Sequence, residues 1–69
     1  MEIYNLSEHE EKIVSLFKEH DGLTFDELKN YMNLDKPTLR EILINMLRKG
    51  IIIKVPDFDK GKFVYKVPE

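Results

Sequence analysis

The side chains able to do chemistry in these 69 residues are eleven lysines and arginines, thirteen carboxylates and two histidines, with no cysteine. The missing cysteines remove disulfides, thiolate metal sites and sulfur nucleophiles together. His9 and His20 lie three helical turns apart, about 16 Å along a helix axis, which is too far for one metal ion to span. Each reads as an exposed helix residue, His20 with a favourable place near a C-terminal dipole. Asp57-Phe58-Asp59-Lys60-Gly61 opens like a calcium loop, but its glycine comes one place early and Pro68 stands where a bidentate glutamate belongs. It reads as a hairpin tip, with Phe58 expected to pack against the hairpin and insertion into a nucleic-acid groove as the alternative. The glycines are isolated at 22, 50 and 61, so no phosphate-cradling loop or dinucleotide fingerprint exists, and no nucleophile is paired with a base. Tyr4, Tyr31 and Tyr65 are too scattered to form a base-stacking platform. The expectation is a protein without catalysis, metal or cofactor.

Charge is distributed unevenly. Residues 1–35 carry nine acids and three lysines, a balance of -6, whereas residues 36–69 carry eight bases and four acids, a balance of +4. Such polarity has two readings: a polyanion partner for the second half, or attraction between the halves once folded. Within the basic half, Arg40 and Asn45 have the donor geometry of base readers, since a guanidinium pairs bidentately with guanine and an asparagine amide matches the adenine edge. Lys36, Lys60 and Lys62 are compact charges that neutralise phosphates without reading sequence. The plainer alternatives are solvation for any one of these side chains and protection of a hairpin edge for Lys60 and Lys62. Lys54 and Lys66 fall inside strand patterns and read as solubilising.

Three helices and a hairpin must position these residues. Ser7-Glu8-His9-Glu10 and Thr24-Phe25-Asp26-Glu27 are capping boxes, each placing a hydroxyl at a helix start and a glutamate three residues on. The first helix is expected over 7–20, with Ile13, Val14, Leu16 and Phe17 inward and a stop at Asp21-Gly22. The second is expected over 25–32, burying Phe25, Leu28, Tyr31 and Met32, with a brief strand at 23–25 able to pair with the hairpin. The third is expected over 36–49, opened by Pro37 and closed by Arg48-Lys49-Gly50, its inward stripe formed by Leu39, Ile42, Leu43 and Met46. Beyond Gly50 the apolar period becomes two, through Ile51, Ile53 and Val55 and then Phe63, Tyr65 and Val67, and Gly61 suits a bulged turn between them. The fold class is α+β in a single domain over 1–69, because so short a chain buries only ~60% of its unfolded surface and cannot support two cores. No apolar run exceeds three residues, as at Ile42-Leu43-Ile44 and Ile51-Ile52-Ile53, and the N-terminus is not basic, so the expectation is a cytoplasmic protein that does not engage a membrane.

A short helix, a tight turn and a longer helix running into a basic-Gly-apolar-apolar stretch resembles the winged helix-turn-helix family. Lys36-Pro37-Thr38-Leu39-Arg40-Glu41-Ile42-Leu43-Ile44-Asn45-Met46-Leu47-Arg48-Lys49-Gly50-Ile51-Ile52 carries most of the resemblance, which extends from Ser7 to Val67 and singles out no subfamily. The resemblance implies a three-helix bundle with a C-terminal β-hairpin wing that binds double-stranded DNA, as a small transcriptional regulator does. It implies that the third helix enters the major groove through Lys36, Thr38, Arg40, Glu41, Ile44, Asn45 and Arg48, while Lys60 and Lys62 on the wing meet the adjacent backbone. Glu41 would repel phosphate unless it accepts from a cytosine amine, and an outward Ile44 must meet a thymine methyl, a dimer mate or a protein partner. A protein-interaction module using Ile44, Leu47 or the hairpin edge is the alternative. A homodimer would double the basic surface, with Ile3, Tyr4 and Leu6, the first helix or Ile44 as contact material.

Overall fold

The computed structural model describes residues 7–68. Both capping boxes close, and they set where the first two helices begin. Ser7 Oγ accepts from the Glu10 amide at 3.2 Å while the Glu10 carboxylate accepts from the Ser7 amide at 3.0 Å, opening α1 (Glu8–His20). Thr24 and Glu27 repeat the exchange at 3.2 and 2.9 Å to open α2 (Phe25–Met32). Thr24 also ends β1 (Leu23–Thr24), so one residue closes a strand and caps a helix. Phe25, grouped with that strand by its sequence neighbours, is instead the first residue of α2. α3 (Lys36–Lys49) starts with Pro37 in its first turn. It ends where the Gly50 amide donates to the Leu47 carbonyl and the Ile51 amide to the Met46 carbonyl, the paired bonds of a Schellman stop.

β2 (Ile53–Asp57) and β3 (Lys62–Lys66) form an antiparallel hairpin, and β1 adds to the other edge of β3, giving the order β1-β3-β2. The register aligns Lys54 with Tyr65, Val55 with Val64 and Pro56 with Phe63, while Leu23 lies opposite Tyr65. The turn is fastened by Asp57, whose side chain accepts from the Asp59 and Lys60 amides at 3.0 and 3.1 Å and whose carbonyl accepts from Gly61 at 2.8 Å. Gly61 supplies the left-handed φ of 67° that this closure requires.

The core lies between the three helices and one face of the sheet. Ile13 and Phe17 from α1, Leu28 and Met32 from α2, and Leu39, Leu43 and Met46 from α3 are all buried together with Leu23 and Ile52. Two expectations are corrected here. Tyr31 does not join the inward stripe of α2 but is 46% exposed, its ring tilted against His20 at 5.0 Å between centroids. The buried residue after α3 is Ile52, which precedes β2, rather than Ile51 or Ile53. The Schellman stop turns the chain before pairing begins, so strand alternation cannot be counted back to Gly50.

Glu10 is buried, and Lys49 from the end of α3 reaches it at 3.2 Å. The Ser7 amide, opposed by burial and helped by Lys49, holds the Glu10 carboxyl below its ordinary value of 4.5. A lowered folded-state value means stability that is present above the unfolded value and lost as pH falls through the folded one. Thermal melts between about pH 7 and pH 3 should therefore show the midpoint falling on the acid side of about pH 4.5. Glu10→Gln should lower the midpoint at neutral pH and flatten that acid limb. An unchanged limb would remove Glu10 from the acid transition.

Candidate functional site

Every residue of α3 expected to face a partner is exposed: Lys36, Thr38, Arg40, Glu41, Ile44, Asn45 and Arg48. They do not form one ridge. At 100° per residue, Thr38, Glu41, Asn45 and Arg48 follow one stripe along the helix, while Lys36, Arg40 and Ile44 follow another. Arg40 and Asn45, the two side chains suited to base edges, stand about 140° apart around the axis.

Arg40 reaches a cleft between the start of α2 and the hairpin, lined also by Phe25, Asp26, Lys54, Lys62 and Phe63. The Arg40 guanidinium lies 5.5 Å from the centroid of the Phe25 ring, and the Lys54 ammonium lies 4.7 Å from that of Phe63. Lys54 did not stand out in the sequence, where an isolated strand lysine signals only solubility. Its meaning depends on the register that puts it opposite Tyr65 and on the same sheet face as Phe63, and on the fold that brings Arg40 to the same cleft.

Attraction between the two halves, one reading of the charge asymmetry, is present in the folded chain. Among the eight bases of the second half, Lys49 pairs with Glu10, Lys60 with Glu27 at 3.4 Å and Lys62 with Asp26 at 3.6 Å. Acids of the first half thus take three cations of the second, two of them at capping-box glutamates. The Thr24 amide first, and then Lys60, hold the Glu27 carboxyl below its ordinary value. Lys36, Arg40, Arg48, Lys54 and Lys66 have no carboxylate partner among the described residues. Lys60 and Lys62, expected to lie free for phosphate, are tied instead to the N-terminal turn of α2. Both pairs are exposed to water, where such bonds contribute little and exchange readily.

α3 differs from the other helices at its start. The first turn of α1 holds Glu8, Glu10 and Glu11 and that of α2 holds Asp26 and Glu27, whereas that of α3 holds no acid and begins with Lys36. Its N-cap is acidic, however: Asp35 makes no capping bond to a backbone amide, but the Thr38 hydroxyl beside it holds its carboxyl below the ordinary value. A cation at the positive end of a helix dipole is locally unfavourable.

Phe58 requires a correction: it does not pack against the hairpin but is 90% exposed at the tip. The Asp57 turn aims it outward, because the two amides bonded to that carboxylate fix the chain on either side. Phe63 and Ile44 are exposed as well. Ile3, Tyr4 and Leu6, the N-terminal dimer candidates, lie outside the described residues. Among the described residues no three histidine, cysteine or carboxylate side chains converge as metal ligands, and no helix is long and apolar enough to cross a membrane. No protein-family model matches the chain, and neither the curated proteins nor the solved structures contain a match.

Proposed function

We propose that this chain is a winged-helix protein that binds double-stranded DNA, acting in the cytoplasm as a small non-enzymatic transcriptional regulator. The observation that carries the reading is the electrostatic character of α3. This helix lacks the acidic first turn of its two neighbours and starts with Lys36, and its Arg40 and Arg48 have no carboxylate partner among the described residues. Only the N-cap Asp35 opposes the positive charge at this helix start, and exposed cations without carboxylate partners suit a surface that meets an anionic partner. An α-helix fits the major groove, and the stripe Thr38, Glu41, Asn45 and Arg48 offers groups for adenine, guanine and cytosine edges. Lys36, with Lys60 and Lys62 after exchange from their carboxylates, supplies phosphate contacts that set orientation.

The test is titration of duplex DNA at several salt concentrations. Engagement of about four phosphates gives a log-log slope near -3.6, or ~150-fold weaker binding on raising salt from 50 to 200 mM. Asn45→Ala should reduce discrimination between sequences more than overall affinity. No binding at low salt rejects the proposal.

The exposed Ile44 favours a second reading, in which the same outer face of α3 docks onto a protein or a second copy of the chain. Ile44→Asp would then abolish a stable complex that Arg40→Ala leaves intact.

A further inference from the structure

We propose that the cleft between the start of α2 and the hairpin is a phosphate clamp, in which Arg40 from α3 and Lys54 from β2 grip a single phosphodiester of the DNA backbone. The inference rests on the DNA-binding reading and adds to it a position, Lys54, and a geometry. The two cations line one cleft, each laid over an aromatic ring: Arg40 over Phe25 at 5.5 Å and Lys54 over Phe63 at 4.7 Å. A ring orients a cation through its quadrupole but does not neutralise it, whereas a carboxylate does both. Arg40 and Lys54 are therefore held in place with their charge still available. Arg40, Lys54 and Lys62 line the cleft against one carboxylate, Asp26, so a net balance of two positive charges faces one space whether or not the exposed Lys62–Asp26 pair exchanges. Their mutual repulsion is relieved by an anion between them.

The chemistry of the two arms suits a phosphodiester. The guanidinium is a planar fork that matches two phosphate oxygens, and the ammonium adds a point charge from the opposite wall. The Lys54 ammonium is already held over the Phe63 ring, so little side-chain freedom remains to be lost on binding. Because one arm comes from α3 and the other from the sheet, a single phosphate held by both would fix the angle at which the helix meets the duplex.

The experiment is fluorescence anisotropy of a labelled 20-base-pair duplex over a salt series, using the wild type, Lys54→Gln, Arg40→Gln and the double variant, with Lys12→Gln on the exposed surface of α1 as the charge control. Lys54→Gln should weaken binding roughly tenfold, Lys54→Arg should retain most of it, and Lys12→Gln should match the wild type. The double variant should lose about 0.9 from the salt slope, the share of one phosphate. A double variant that loses about 1.8 means two separate phosphates and overturns the clamp. Wild-type binding that Lys54→Gln leaves unchanged overturns the clamp and keeps the DNA reading. No wild-type binding at low salt overturns both. Coincident thermal melts of the variants, expected for exposed side chains, assign the losses to the cleft and not to unfolding.

Discussion

Reversing two charges on α3, Lys36→Glu with Arg48→Glu, should weaken duplex DNA binding at low salt by at least about 100-fold while leaving the fold intact. Each site contributes ~1–3 kcal/mol if it contacts phosphate or base, and reversal adds repulsion to the lost contact. Both side chains are exposed and have no carboxylate partner among the described residues, so no internal bond breaks. The two changes also oppose each other in the helix dipole. A glutamate at position 36 becomes favourable at the N-terminal end, whereas one at position 48 becomes unfavourable at the C-terminal end, each by ~0.3–1 kcal/mol. Unchanged thermal stability with abolished binding is the expected pair of results from melting curves and anisotropy. Retained DNA affinity would show that α3 is not the contacting element.

The second large effect is on the fold and concerns Gly22, between α1 and β1. Its φ is +97°, and a Cβ built there would lie 2.9 Å from Val64 Cγ1 and 3.1 Å from the Tyr65 carbonyl oxygen. Gly22→Ala therefore combines a backbone conformation that alanine resists with overpacking against the central strand, and should cost about 2–4 kcal/mol. For a domain of this size, with total stability of roughly 3–10 kcal/mol, that is a large fraction. The midpoint of thermal unfolding should fall by roughly 10–30 °C. Adding Val64→Ala removes the nearest obstructing methyl, so the double variant should be more stable than the sum of the two single losses indicates. Strict additivity would mean that the φ angle alone sets the cost.

The elements of this protein were legible in the chain because their signals are local. Ser7 with Glu10 and Thr24 with Glu27 mark two helix starts within four residues each, and the bonds form as the spacing requires. Pro37 and Gly50 bracket α3 in the same way, and the inward positions Leu39, Leu43 and Met46 follow from a period of 3.6. A brief strand over 23–25 was only suggested by the chain, and its end at Thr24 and its pairing with β3 came from the fold. Exposure of the α3 candidates was legible too, being the complement of the apolar stripe.

What only the tertiary structure decided is which charges meet. Lys49 and Glu10 are 39 residues apart, and Lys60 and Glu27 are 33 apart, so no local pattern relates them. The sequence established that the second half is basic. Folding then selected the three cations that its own acids take up and left Arg40 and Lys54 over aromatic rings in one cleft. Phe58 belongs to the same class. Its apolar character is written in the chain, but its exposure follows from the way Asp57 binds the turn and from the absence of any described neighbour to cover it. Hydrogen bonds within a turn act over a few residues and can be read in order, whereas coulombic and packing contacts between distant segments exist only once the backbone has brought those segments together.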